Sequence, residues 1–204
     1  MNTSKGFTLV EAMVSVSIFV IVTAIILINH RKFNSDILLT SLAYEMALSI
    51  REAQVYGISV RGEVVDTSAK QFDIGYGVHF DRTNLNSYTL FADSSINGNF
   101  NIYDDNTVDT DVQIFTLKRG NKIKKFCGYV AGSTDTRCSD GSGTDTTPLN
   151  SLDIAFKRPD PEAIIGDIAY GAREYHRAII YIESPQLEER KITIESTGQI
   201  STQQ

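Results

Sequence analysis

The chain has 204 residues, of which 42% are hydrophobic and 22% charged, enough for one folded domain plus an anchor. Its formal charge of −6 argues against a function built mainly on nucleic acid, which favours a basic surface. The two cysteines, Cys127 and Cys138, share one polar stretch and have no histidine beside them, a poor set for zinc. In an exported chain that spacing predicts a disulfide; in a reducing compartment the same pair stays as two thiols.

The N-terminus carries most of the information. Residues 1–6 are short and polar with one positive charge, Lys5. Phe7–Ile28 is almost wholly apolar, without Pro or Gly, and is interrupted only by Thr8, Glu11, Ser15, Ser17 and Thr23. As a helix it spans about 33 Å, close to the ~30 Å hydrocarbon core of a bilayer. Asn29, His30, Arg31 and Lys32 end the run. A removable secretory signal fits poorly, because its apolar core is about 7–15 residues and ends in small residues. A plain anchor leaves Glu11 without a reason, since a carboxylate at membrane depth costs about 2.5–3.5 kcal/mol.

Lys5-Gly6-Phe7-Thr8-Leu9-Val10-Glu11 resembles the class III signal of type IV prepilins and pseudopilins. The resemblance implies cleavage after Gly6 by a membrane peptidase acting on the cytoplasmic side, and methylation of the new amino terminus at Phe7. It further implies that Glu11 pairs with the Phe7 ammonium of a neighbouring subunit. Two opposite charges in a low-dielectric filament core offset each other's desolvation. Lys5 favours a cytoplasmic N-terminus and Arg31-Lys32 opposes it; the family signal implies N-terminus inside, domain outside. The expected location is the cytoplasmic (inner) membrane as a single pass, then a filament. Cleavage removes Lys5 and makes the chain one unit more acidic.

The helix is predicted to continue. Ile37, Leu38, Ser41, Leu42, Tyr44, Met46, Leu48 and Ala53 recur at steps of three and four, with Gly57 as a stop. The second half should lay one face, Met46 and the aromatics included, on the globular domain. Beyond Gly57 the pattern turns to strands at Tyr76–Phe80, Tyr88–Phe91, Val112–Leu117, Leu152–Phe156, Ala178–Glu183 and Lys191–Glu195. Turn residues at 97–99, 119–121, 140–143 and 196–198 separate them. Ser133–Thr147 reads as an exposed loop. The expected fold class is α+β, a pilin fold with a long helix packed on an antiparallel sheet. The expected divisions are a leader at 1–6, a membrane and filament-core helix at 7–28, its amphipathic continuation at 29–57, and a β-rich domain at 58–204.

Residues 41–53, 75–78, 88–93 and 191–200 resemble, loosely, the GspH/FimT group of minor pilins and pseudopilins. That implies a minor subunit of a type IV pilus or type II secretion system near the filament tip. Its partners would be other pilins, the prepilin peptidase, an assembly platform, and membrane lipid before assembly. Many pilins kink the first helix at a proline; the first here is Pro148.

Other sites are weaker. His30, His79 and His176 are scattered and no nucleophile–base set appears, so no enzyme activity is expected. Asp104-Asp105-Asn106 with Asp109 and Asp111 could hold calcium, though the spacing lacks the Gly and terminal Glu of an EF-hand and a solvated acidic turn is favoured. No other cofactor is expected. Lys118, Arg119, Lys122, Lys124 and Lys125 form a basic stretch that could contact DNA phosphates, as some FimT-like pilins are implicated in DNA uptake. A solvated hairpin face is the favoured reading.

Overall fold

The computed structural model describes residues 6–59, 63–66, 69–71, 74–93, 101–104, 109–169 and 171–203. The turn expected at 97–99, residues Asp105 and Asn106 of the acidic cluster, and Lys5 lie outside them. Leu9–Ile58 forms one helix of 50 residues, α1. It runs from the apolar segment into the domain with no Pro, and with Gly only at position 57, so nothing in the sequence interrupts its hydrogen-bond ladder.

Gly57, expected to stop the helix, does something else. It is a buried residue inside α1, and the helix ends at Ser59, an extended cap. A Cβ at Gly57 would lie 2.2 Å from the Phe156 carbonyl oxygen. The glycine is there for close approach of helix to sheet, and Arg158 N–H donates to the Gly57 carbonyl at 3.0 Å.

The strands are β1 (Glu63–Asp66), β2 (Ala69–Gln71), β3 (Tyr76–Asp81), β4 (Ser87–Ala92), β5 (Thr110–Thr116), β6 (Lys122–Val130), β7 (Thr136–Cys138), β8 (Ser151–Lys157), β9 (Asp160–Asp167), β10 (Gly171–Glu183), β11 (Glu189–Glu195) and β12 (Ile200–Gln203). β1 and β2 pair as a separate ribbon. The others form a ten-stranded sheet in which every strand pair is antiparallel, along β12-β11-β10-β9-β8-β3-β4-β5 with β6 and β7 branching from β10. The branch arises because β10 is 13 residues long. Gly171 and Tyr175 pair with β9. Arg177–Glu183 pairs with β11 on one edge and β6 on the other.

The core lies where α1 crosses the sheet. Leu39, Ala43, Met46, Ile50 and Ala53 are fully or almost fully buried and pack with Val78, Phe80, Leu90, Ile154, Phe156 and Ile180. Those helix positions follow steps of three and four, one face of a helix. The apolar residues read from sequence do not all share it. Ile37, Tyr44 and Leu48 are 50%, 58% and 67% exposed. At about 100° per residue they stand opposite the buried face, so the helix carries two apolar stripes.

The stretch expected as an exposed loop, Ser133–Thr147, contains β7. Cys127 and Cys138 sit directly opposite each other across β6 and β7, with Cα atoms 4.1 Å apart, and form a disulfide. The cross-link shapes that segment into a hairpin whose Cys138 and Ser139 are buried.

Replacing Gly57 with Ala is expected to lower unfolding free energy by about 1–3 kcal/mol through overpacking against Phe156, read as a lower thermal midpoint. Converting both Cys127 and Cys138 to Ser should cost about 3 kcal/mol, the loop-entropy value for a closed loop of this size. Oxidised and reduced wild type should differ by a similar amount in denaturant titration.

Candidate functional site: the N-terminal helix and its surroundings

Among the described residues, the start of α1 packs on nothing in the domain. Leu9–Leu27 is 19 residues long, apolar enough to cross a membrane, and none of it is buried in the domain. Its length is about 28 Å. Its serines carry their own solution to an apolar surrounding: Ser15 Oγ donates to the Glu11 carbonyl and Ser17 Oγ to the Met13 carbonyl, both at 2.8 Å. Neither hydroxyl proton is left without an acceptor.

Thr8 and Glu11 begin the helix as a reciprocal cap. Glu11 N–H donates to Thr8 Oγ1 at 3.3 Å. Thr8 N–H and Thr8 Oγ1–H both donate to Glu11 Oε2, at 3.3 and 3.1 Å. Donors that would otherwise be orphaned at a helix start are thereby satisfied. Gly6, just before, has open space where a Cβ would stand, and Phe7 is 75% exposed.

Beyond the apolar segment, the outward stripe Ile37, Tyr44, Leu48 and Val55 stays exposed. Its steps of seven, four and seven were present in the sequence, merged with the core stripe. Beside it, α1 and the edge strand β5 flank an open groove of about 830 Å³ that includes Leu38, Glu45, Glu52 and Ile114.

The basic stretch is largely neutralised. Lys122 and Lys124 lie 3.4 and 3.3 Å from Glu183, and Lys124 also pairs with Glu189. Lys125 meets Asp140 at 3.3 Å and Ser142 Oγ at 2.7 Å, and lies over the Tyr181 ring. Lys118 and Arg119 remain exposed and make no ion pair among the described residues. The stretch is therefore split: three lysines hold strands together and two cations face outward.

The acidic cluster folds on itself. Asp104 N–H donates to Asp109 Oδ2 at 2.9 Å, and Tyr103 O–H donates to Asp111 Oδ1 at 2.9 Å. Among the described residues no three acids, histidines or cysteines converge in a way that could hold a metal.

His79 and Asp153 form a pair that the sequence did not signal, because their partnership exists only across β3 and β8. Nδ1 of His79 is 2.6 Å from Oδ1 of Asp153, whose side chain is fully buried. The Tyr103 ring lies against the imidazole, tilted by 37° with centroids 4.4 Å apart. Burial opposes charge on the ring, but the Asp153 carboxylate, by charge and hydrogen bond, and Asp81 and Asp111 outweigh it and raise the His79 pKa. Burial likewise raises the Asp153 pKa against the pull of His79. His176 is separate; its Nδ1 lies 3.2 Å from the Val130 carbonyl oxygen.

The model of the prokaryotic N-terminal methylation motif matches residues 1–27. No curated protein and no solved structure matches the chain. The motif, the exposed apolar helix and the α+β domain together support a type IV pilin-like subunit. Such a subunit is processed by a prepilin peptidase and assembles with other pilin subunits, and its apolar helix is consistent with membrane anchoring.

A raised histidine pKa contributes stability that is fully present below the unfolded value of about 6.5 and is lost as pH rises through the folded value. Unfolding free energy is therefore expected to fall from about pH 6.5 upward through the His79 titration. Asp153→Asn should flatten that part of the profile. NMR titration of the His79 ring would locate the step, which should move back toward the ordinary histidine range in Asp153→Asn.

Proposed function

We propose that this chain is a minor pilin or pseudopilin that works by assembly and not by catalysis, requires no cofactor, and sits near the tip of a type IV pilus or type II secretion pseudopilus. The observation that carries the reading is the continuous α1. A bare apolar half leads from the Gly6–Glu11 signal, and an anchored half is built into the domain core. Cleavage between Gly6 and Phe7 creates an ammonium one residue before the Thr8–Glu11 cap. Glu11 then has two calls on its carboxylate: its own helix start, and the amine of a neighbouring copy. In a lipid-free bundle of such helices the second neutralises two buried charges at once. The outward stripe from Ile37 to Val55 extends the apolar contact surface past the membrane segment, which suits lateral packing of one subunit on the next. Minor status and the tip position rest on the loose resemblance to the GspH/FimT group.

DNA uptake is the second reading. Its support is the exposed pair Lys118 and Arg119; the engagement of Lys122, Lys124 and Lys125 by carboxylates weighs against a wide phosphate-binding track.

Mass spectrometry of the chain from a membrane fraction should give an N-terminus at Phe7 carrying one methyl group. A chain that begins at Met1 in its native host would end this reading. Glu11→Gln is expected to leave insertion and cleavage intact while reducing incorporation into sheared filaments by tenfold or more, the effect of about 1.4 kcal/mol or more at the assembly step.

A further inference from the structure

Among the described residues, three non-glycine residues have positive φ: Asn101, Arg119 and Leu187. Asn tolerates that conformation, whereas Arg and Leu adopt it at a cost. Both costly residues are at the tips of loops at the same end of the domain. Arg119 and Gly120, φ 62° and 75°, make the turn between β5 and β6. Leu187, φ 63° and 76% exposed, tips the turn between β10 and β11. The loops adjoin: a Cβ on Gly120 would lie 3.0 Å from Pro185 Cγ, and Arg119, Asn121, Pro185 and Gln186 border one cleft with Asn34 and Ser35 of α1.

That cleft fixes where the tips stand. Ser35 Oγ donates to Gln186 Oε1, and Arg190 pairs with Asp36. Ser35 is eight residues past Leu27, the end of the apolar span, about 12 Å along the axis. The polar headgroup layer is about 5–8 Å thick on each side, and the screening length is about 8–10 Å. With α1 inserted as far as Leu27, the cleft that both loops border therefore stands within electrostatic reach of the bilayer.

This end is less acidic than the rest of the chain. Residues 34–38, 117–122 and 183–190 hold Lys118, Arg119, Lys122 and Arg190 against Asp36, Glu183, Glu188 and Glu189, an even balance in a chain whose acids outnumber its bases 25 to 19. Glu183, Glu189 and Asp36 are each occupied by a cation of the domain. An exposed leucine beside free cations is the pairing that suits a bilayer interface, apolar tip inward and charge on phosphate.

We propose that the turn 118–120 and the turn 185–188 form a contact with anionic phospholipid headgroups, which holds the domain down on the membrane while the subunit is still anchored there. The contact rests on the membrane-anchor reading of α1. It explains why strained positions keep a cation and a leucine where Asn or Gly would cost less. Lipid is favoured over DNA because, in the anchored chain, the bilayer is the phosphate surface that these tips face.

The chain contains no tryptophan, so Leu187→Trp supplies a single reporter, with Gln186→Trp as a second and Ser133→Trp as a control on another exposed loop. Each full-length variant is reconstituted in vesicles of phosphatidylcholine, with or without phosphatidylglycerol, and co-flotation reads anchoring. With phosphatidylglycerol, emission at 187 or 186 should move to shorter wavelength and be quenched by headgroup-proximal brominated lipid. Lys118→Glu with Arg119→Glu, or high salt, should return it to the value in water, and the control at 133 should not respond. Water-like emission at both 186 and 187 in chains that co-float would overturn the contact and leave the anchor standing. Chains that do not float would overturn the anchor and the contact with it. A response of 187 to duplex DNA on neutral vesicles, without one to phosphatidylglycerol, would overturn the lipid assignment in favour of nucleic acid.

Discussion

The packing of the second half of α1 on the sheet determines what the first half can do. Leu39, Ala43, Met46, Ile50 and Ala53 bury one face of a helix whose other end, Leu9–Leu27, is bare. An isolated apolar helix in water has no stable place; one that grows rigidly from a folded domain can be presented to lipid, or to another helix, at a fixed angle. Gly57 sharpens the arrangement, because the close approach that it permits to Phe156 sets how deeply the end of the helix sits. Gln54 adds a polar clamp there, donating from Nε2 to the Pro161 carbonyl at 2.7 Å.

Much of this was legible from residue order. The length and purity of the apolar run, the placement of Glu11, and the absence of a proline before Pro148 are local facts, and together they define one long helix. Strand-forming residues in partial alternation located six strands; the alternation is clearest at the end of β10, where Ala178, Ile180 and Ile182 are buried, whereas β8 is buried on both faces. What was not legible depends on partners distant in sequence. β9 begins Asp160-Pro161-Glu162 and was not among the expected strands, yet it pairs with β8. β7 forms because Cys138 faces Cys127 across a ladder. His79 gave no sign of Asp153, 74 residues away.

The functional surfaces divide in the same way. Residues 6–11 are legible through their order alone, and the model of the N-terminal methylation motif covers them. The two stripes of α1 were both present, the buried one in steps of three and four and the outer one in steps of four and seven, but periodicity alone could not tell which stripe the sheet would cover. Tyr44 and Leu48 belong to the outer one. The basic stretch shows the converse. Five cations in eight residues look like one feature, and strand pleating sends them to separate partners, so that Glu183 takes Lys122 and Lys124 while Asp140 takes Lys125.

The long strand β10 has a mechanical consequence. From Arg177 to Glu183 both of its edges are hydrogen-bonded, to β6 and to β11, while its start pairs with β9. A single backbone is thus the shared spine of two groups of strands. Hinging one group against the other would require that spine to bend while its neighbours on both sides hold it straight. Tension entering through α1, as when a subunit is drawn out of a bilayer or along a fibre, is therefore distributed over both groups at once, and the domain moves as one load-bearing body.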